Sequence, residues 1–426
     1  MTSSNDRVAR ATGGDSLDTI VVVGTGFIGL PLALLLAEHE KNVVGVDIDE
    51  KVVKGINDRN LNFDEDEFEA LLASDRVNEH LEARTDPTEG DAFVISVPTP
   101  LAEPSKTPDI SFVETALDSI LPYLSGGDLV NIESTLPPRT FEKTIVPTLR
   151  QEGFEPGRDV QLAHSPERIL PGNVFEEIRH NDRIIGGVDD SSRRRAAAIY
   201  EPFLEGDVYF TDLLSAELCK LLENTFRDVN IALANEFALI GEQLDLNMNR
   251  VIKLANNHPR VDILTPGVGV GGHCLPVDPW FLNEVDPEHT NLITGSRRIN
   301  DKMPEVAARK IRQAVGGQTA PLILALGAAY KPETYDSRNS PAIEIVESLR
   351  NEHFRVEHYD RHVDGMGYDD LDSLIRRVEP DVVLQLVSHD TTDAELCALE
   401  PELAEAGVQL LRFGGENPLD PRQYDE

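Results

Sequence analysis

Two stretches of this chain carry side chains that packing alone does not call for. The first is the loop Pro266-Gly267-Val268-Gly269-Val270-Gly271-Gly272-His273-Cys274-Leu275-Pro276, where four glycines let backbone wrap closely around a ligand just before Cys274. A free cysteine is most often a small buried hydrophobe. That reading suits Cys397 and Cys219, but it suits Cys274 poorly, because the surrounding loop has no apolar periodicity. An accessible thiol can add to an aldehyde; loss of a hydride then leaves a thioester for water to hydrolyse. The second stretch is a helical pattern from about Ser215 to Leu246. Lys220, Asn224, Asp228 or Arg227, Ile231 and Asn235 fall on one face of it. Lysine and asparagine are costly to bury without partners. Either this stripe hydrogen-bonds to a neighbouring helix, or Lys220 and Asn224 face a ligand together, with Lys220 as a general base.

A third motif concerns a cofactor. Gly24-Thr25-Gly26-Phe27-Ile28-Gly29 follows a β-branched run and opens a helix. In such a turn Gly24 bends the chain, Gly26 admits a pyrophosphate and Gly29 lets helix pack on strand. The helix N-terminus then faces the negative charge. Asp47 ends the next strand, where a carboxylate meets ribose hydroxyls and repels a 2′-phosphate, so NAD is expected rather than NADP. Further strand ends carry Ser96-Val97-Pro98-Thr99-Pro100, Glu133-Ser134-Thr135 and Ser165-Pro166-Glu167-Arg168. Thr99 and Thr135 sit where a hydroxyl meets nicotinamide, phosphate or water, and equally where a turn needs a cap.

The elements that must position these groups alternate between strand and helix, the pattern of a parallel sheet. Strands are predicted at Thr19–Val23, Val43–Asp47, Ala92–Val97, Leu129–Glu133 and Val160–Ala163, with Arg183–Val188 closing the unit. Helices are predicted at Phe27–Glu38 and Ser111–Leu121. After the long central helix and the Gly/Pro loop, helix resumes around Met303–Val315. A second alternating unit follows, with strands at Leu322–Leu326, Arg355–Tyr359, Val382–Val387 and Gln409–Phe413 and helices at Ala342–Arg350 and Asp370–Val378. The expected fold is α/β: two Rossmann-like doubly wound domains joined by a long central helix. The expected divisions are 1–205, 206–315 and 316–426.

Composition narrows the function further. Hydrophobic residues make up 40% of the 426, ample for globular cores, with only the opening Thr2–Ser16 reading as disordered. No signal peptide or apolar run of membrane-spanning length occurs, so a cytoplasmic protein without a membrane partner is expected. The net charge of −37 disfavours nucleic acid, and Lys supplies only 10 of the 39 cationic residues. Dispersed acid with scarce lysine suits a high-salt cytoplasm, where screening removes self-repulsion. Three widely spaced cysteines form neither a disulfide framework nor a zinc site, and His273 and Cys274 have no further ligands near them in sequence, so no metal is expected.

With these motifs in order, the chain resembles the UDP-glucose/GDP-mannose dehydrogenase family along nearly its whole length. The resemblance is carried by Gly24–Gly29, Val97–Pro100, Glu133–Thr135, Ser165–Gly172, Asn181–Gly187, Cys219–Glu236, Asn257–Phe281 and Tyr330–Pro341. Arg168-Ile169-Leu170-Pro171 and Val277-Asp278 follow the N-acetylhexosamine style, and the closer match is to the branch that oxidises UDP-N-acetyl-D-mannosamine; UDP-N-acetylglucosamine or UDP-glucose is the alternative. The resemblance implies a four-electron oxidation of a UDP-sugar C6 alcohol to a carboxylate with NAD, and homodimers formed through the central helix. It implies that Cys274 is the nucleophile and Lys220 the proton carrier. Asn224 and Glu167 would position oxyanion and water, and Asp278 would assist near the thiol. Phe27, Ile28, Asp47, Thr99, Thr135 and Arg338 map onto cofactor contacts. Arg168, Ile169, Arg227, His258, Arg260, Gly271, Tyr330 and Lys331 map onto substrate contacts, with His258 and Arg260 reaching the neighbouring subunit's substrate. A two-electron hydroxyacid dehydrogenase would have no use for Cys274, and a non-catalytic binding protein would need neither Cys274 nor Lys220.

Overall fold

The β-branched run Thr19–Val23 forms strand β1 and is buried at every position after the first. Its alternate side chains feed two separate cores, Ile20 and Val22 on one face and Val21 and Val23 on the other, as expected for a parallel sheet covered on both sides. The helix Gly29–Glu38 is buried all round except at its end, so it lies inside the layer that it builds. The computed structural model describes residues 17–61, 66–169, 172–244, 246–317 and 320–413. The opening Thr2–Ser16, Leu170–Pro171 and the ending after Phe413 fall outside them.

Two compact units emerge, residues 1–223 with 280–285, and 224–279 with 286–426. In the first, β1 pairs with β2 (Asn42–Val46), which pairs with β3 (Leu81–Arg84), and on its other side with β4 (Ala92–Ile95). A small hairpin, β5 (Leu101–Ala102) and β6 (Thr107–Pro108), leaves the end of β4. The sheet continues through β7 (Leu129–Ile132), β8 (Gln161–His164), β9 (Arg183–Gly187) and β10 (Val208–Thr211), in the order β10-β9-β8-β7-β4-β1-β2-β3.

Two expectations change here. Arg183–Val188 was expected to close the unit, yet β10 follows it; this edge strand is short and only half-buried, so it lacks an apolar signature. The sheet is also not wholly parallel, because β8 and β9 run antiparallel.

The second unit holds a parallel sheet in the order β12-β11-β13-β14, made of β11 (Leu322–Leu326), β12 (Arg355–Tyr359), β13 (Val382–Gln385) and β14 (Gln409–Arg412). The central helix spans Leu213–Gln243, 31 residues. The next long helix runs Asn291–Val315, twelve residues earlier than the expected start at Met303. Its first half is polar and contains Gly295, so it shows no apolar stripe. Its buried members there are Ser296, Arg297 and Asn300.

Candidate active site

At the end of β1 the chain turns through Gly24, whose φ of +92° disfavours any residue with a Cβ. A Cβ there would lie 2.4 Å from the Ser96 carbonyl oxygen, and one on Gly29 would lie 1.9 Å from the Gly24 carbonyl oxygen. A Cβ on Gly26, by contrast, meets nothing within 4 Å. The turn is thus closed where strand and helix touch and open where a pyrophosphate would approach, which fits a dinucleotide. Asp47 is fixed beside it. Its Oδ2 accepts from the Thr25 N–H at 3.1 Å and the Thr25 hydroxyl at 3.2 Å, and its Oδ1 from the Asp49 N–H at 3.0 Å. Ser134 latches the neighbouring strand ends: its Oγ accepts from the Val97 N–H at 2.9 Å and donates to the Val97 carbonyl at 2.7 Å. Thr99 and Thr135, both half-buried, stand on the two loops so joined.

Beyond β8, Glu167 is held at both oxygens, by the Arg183 guanidinium at 3.1 Å and by the Arg168 N–H at 2.5 Å. Arg183 is buried, stacks over the Tyr200 ring at 3.9 Å and also faces Glu133 at 3.4 Å. Tyr200 donates to Glu133 at 2.6 Å, and Asn131 donates to the Tyr200 oxygen at 2.9 Å. One cation therefore serves two carboxylates. Both Glu167 oxygens are thus oriented by fixed donors. Arg168 pairs with Glu223 at 2.7 Å and donates to the Asp182 carbonyl at 2.7 Å. Ile169 packs its side chain on the first unit's core.

On the central helix Lys220 is buried and forms no ion pair with a carboxylate among the described residues. One turn on, the buried Asn224 donates to Asp278 at 2.5 Å. Asp278 in turn starts a helix, and its N–H and that of Val277 before it close on the Cys274 carbonyl at 2.8 Å and 3.0 Å. Farther down, the polar stripe takes its other form. Asp228 binds Arg297 at 2.5 Å and Asn300 at 2.8 Å, while Asn235 accepts from the Gly267 N–H at 2.8 Å and donates to Asn300 at 2.9 Å. Asp228 rather than Arg227 faces inward; Arg227 is exposed. The stripe therefore divides, with its second half joining helices and tying down the start of the glycine loop.

That loop lies against the segment after β11. Gly271 sits where a Cβ would come within 2.7 Å of both the Asn339 carbonyl oxygen and the Tyr330 Cβ. The Gly272 N–H donates to the Arg338 carbonyl at 2.9 Å. Cys274 is half-buried and free. The glycines before it meet Tyr330 and Arg338, and His273 faces Asp336 and Arg338. Arg338 grips Asp336 through Nε at 2.9 Å and Nη2 at 2.7 Å. Burial and the charges of Asp336 and Cys274 push the Tyr330 phenol up to about 12. Lys331 lies 6.0 Å from the Tyr330 ring.

The sequence as a whole can now be placed. Residues 18–204 match the NAD binding domain of the UDP-glucose/GDP-mannose dehydrogenase family, 214–302 its central domain and 324–397 its UDP binding domain. The chain belongs to this family. Its cofactor is NAD. A relative named UDP-N-acetyl-D-mannosamine dehydrogenase, from Methanocaldococcus jannaschii, is 42% identical over 87% of this chain and 86% of its own. A relative from Ralstonia nicotianae, named NDP-N-acetyl-D-galactosaminuronic acid dehydrogenase, is 43% identical over 78% and 80%. A solved UDP-D-ManNAc dehydrogenase from Pyrococcus horikoshii superposes with a TM-score of 0.82 at 41% identity, covering 87% of this chain and 90% of that one.

For a member of this family, the remaining expected contacts fall as follows. Phe27 packs on the first unit's core and Ile28 is half-buried at the helix start. His258 and Arg260 are exposed on a loop that Asn256 closes through two hydrogen bonds to Ile263, each 2.9 Å. Cys397 is a correction: it was expected to be buried, but it is exposed, because Thr392, Leu396 and Leu403 form the inward face of its helix. Cys219 is half-buried.

Three features escaped sequence reasoning. The pairing of Glu133 with Arg183 was hidden because Arg183 merely opens an apolar strand. The second is the group formed by His273, Asp336 and Arg338, whose one cue was the spacing of Asp and Arg in Tyr335-Asp336-Ser337-Arg338. The third is a group with metal-ligand spacing, Glu333, His362 and His389. There the His389 Nδ1 accepts the Glu333 N–H at 3.0 Å and its Nε2 meets Asp360 at 3.2 Å, so neither ring nitrogen is open to an ion.

Proposed function

We propose that this chain oxidises the C6 alcohol of UDP-N-acetyl-D-mannosamine to the carboxylate, a four-electron reaction with two NAD. The observation that carries the reading is a buried lysine with no carboxylate ion pair among the described residues, together with a free cysteine in a backbone-anchored glycine loop. Relatives named for this activity support the substrate. NAD, when bound, accepts a hydride at each oxidation. Lys220 takes the proton of the C6 hydroxyl as the aldehyde forms. Cys274 adds to the aldehyde carbon, and Lys220 returns its proton to the resulting oxygen. The second oxidation converts this thiohemiacetal into a thioester, its hydroxyl proton passing to Lys220. Glu167, its two oxygens already oriented, holds the water that releases the uronate, and Asn224 steadies the oxyanion with Asp278 fixing its amide. Thr99, Thr135, Asp47 and Arg338 serve the cofactor. Arg168, Ile169, Arg227, Gly271, Tyr330 and Lys331 serve the UDP-sugar, the cationic members countering the diphosphate in a very acidic chain.

The three stretches 1–205, 206–315 and 316–426 correspond in this reading to cofactor, catalytic-connector and UDP-sugar regions. A homodimer through the central helix belongs to it as well. Leu222, Phe226, Leu233, Ile240 and Leu244 form one exposed apolar stripe on and just beyond that helix. His258 and Arg260, being exposed, would then serve the partner's substrate. The charge of −37 with scarce lysine supports a cytoplasm of high salt. No described helix is long and apolar enough to cross a membrane.

The test is turnover in high salt on UDP-N-acetylmannosamine, UDP-N-acetylglucosamine and UDP-glucose, with NADH counted per sugar consumed. Two NADH, with the mannosamine sugar preferred, are expected. One NADH per sugar removes the thioester step, and preference for another sugar removes the substrate assignment.

A further inference from the structure

The second unit repeats the backbone of the cofactor turn but closes it from inside. Gly327 follows β11 with a φ of +94°, as Gly24 follows β1 with +92°. Asp360 follows β12, the parallel neighbour of β11, as Asp47 follows β2. Even the bond between the strands is kept: the Gly327 N–H donates to the Tyr359 carbonyl at 2.9 Å, and the Gly24 N–H to the Val46 carbonyl at 2.8 Å. The two carboxylates differ. Asp47 is half-buried, whereas Asp360 is 1% exposed. Asp360 Oδ2 accepts from the Ala328 N–H at 2.6 Å and the Ala329 N–H at 2.9 Å, and its Oδ1 from the His362 N–H at 2.8 Å. The next N–H, that of Tyr330, goes to the Asp336 carbonyl at 3.0 Å. The three backbone donors after Gly327 are therefore taken up inside the protein. What this turn offers a diphosphate is the side chains of Tyr330 and Lys331.

His389 ties down the far side of the same segment. It is buried and precedes the helix Asp390–Ala406. Its Nδ1 accepts the Glu333 N–H at 3.0 Å. A backbone N–H only donates, so the ring hydrogen sits on Nε2 and is donated to Asp360 Oδ2, 3.2 Å away. Glu333 has a φ of +51°, a conformation that a residue with a Cβ adopts at a cost. It is held there at two points, its N–H by His389 and its Oε1 by the Asp390 N–H at 2.8 Å. Asp360 thus fixes Ala328 and Ala329, His389 fixes Glu333, and the bond between Asp360 and His389 joins the two anchors. Tyr330, Lys331 and Pro332 are the residues that lie between them.

We propose that Asp360 and His389 are positioning residues for the nucleotide of the substrate, holding Tyr330 and Lys331 in the UDP-binding arrangement before UDP arrives. A loop ordered in advance does not lose that freedom on binding, so affinity rises without a new contact. Neither residue touches the ligand; both act through backbone. The position that carries Asp47 in the first unit serves here as an internal clamp. This rests on Tyr330 and Lys331 serving the UDP-sugar, as proposed above.

The test is titration calorimetry of the full-length protein in high salt, with UDP and with NAD as probes. His389→Leu, which removes the acceptor for the Glu333 N–H, should raise the UDP Kd about tenfold and leave the NAD Kd unchanged. His389→Asn can place its Oδ1 where Nδ1 stands, and should recover most of the lost affinity. An unchanged UDP Kd in His389→Leu overturns the proposal. So does a loss that NAD binding shares, or one that asparagine does not recover, since either marks general disruption. Lys331→Ala separates the two readings. A UDP Kd unchanged there removes the loop from the nucleotide site and the proposal with it, whereas a weaker one there with none in His389→Leu overturns the positioning alone. If His389→Leu does not fold, hydrogen exchange of the wild type decides. Without UDP, the amides of residues 328–333 should already exchange slowly; exchange at the rate of an unstructured chain overturns the proposal.

Discussion

Replacing Glu133 by Gln should make the protein progressively more stable than wild type as pH rises. Glu133 is buried with its Oε1 2.6 Å from the Tyr200 hydroxyl and 3.4 Å from Arg183. Burial raises its pKa from 4.5 to about 7, with Arg183 pulling it back and Glu167 pushing it further. In the unfolded chain the group ionises near 4.5, whereas in the folded chain it ionises near about 7. Between those values the folded state binds more protons, so each step up in pH weakens it. Below the window neither state carries the charge and nothing is lost. Above it the loss is complete, at most about 3 kcal/mol. Glutamine carries no charge at any pH and keeps the oxygen that Tyr200 and Arg183 address. Its NH2 replaces Oε2, which has no hydrogen-bond partner among the described residues, at a pH-independent cost of about 1–3 kcal/mol. The diagnostic is therefore the slope. Urea unfolding of both proteins at constant high salt, from pH 5 to pH 8, should show the variant gaining about 2–3 kcal/mol on wild type. A difference that stays flat over that range refutes the reasoning.

Two further outcomes follow from surfaces. Phe226, 71% exposed on the apolar stripe, should carry the dimer, so Phe226→Glu should run as a monomer in light scattering; an unchanged mass would reject the stripe as the interface. The net charge of −37 should make the melting temperature climb steeply from low to molar KCl; a melting temperature indifferent to salt would reject the high-salt reading.

Hydrophobic pattern announced the sheets well. Runs such as Thr19–Val23 and Leu322–Leu326 are buried on both faces, which leaves a continuous apolar string to read. The glycine turn was legible for a related reason: Gly24 and Gly29 stand where strand, turn and helix leave no room for a Cβ. Burial achieved by polar pairing was silent. The first half of the helix Asn291–Val315 is held by Arg297 and Asn300 on Asp228 and Asn235, and none of these reads as core. The edge strand Val208–Thr211 was missed because its side chains are only partly covered. At the site, Cys274 and Lys220 stood out by being odd for their surroundings. His273, Asp336, Glu133 and Arg183 act through partners far away in sequence, which no local spacing shows.

The central claim is that one sulfur carries the sugar through its second oxidation. Cys274→Ser, given UDP-N-acetylmannosamine and excess NAD, tests it by direct measurement of the uronate formed. The account predicts a folded enzyme that binds NAD and makes no acid. Uronate appearing at the wild-type rate would contradict it.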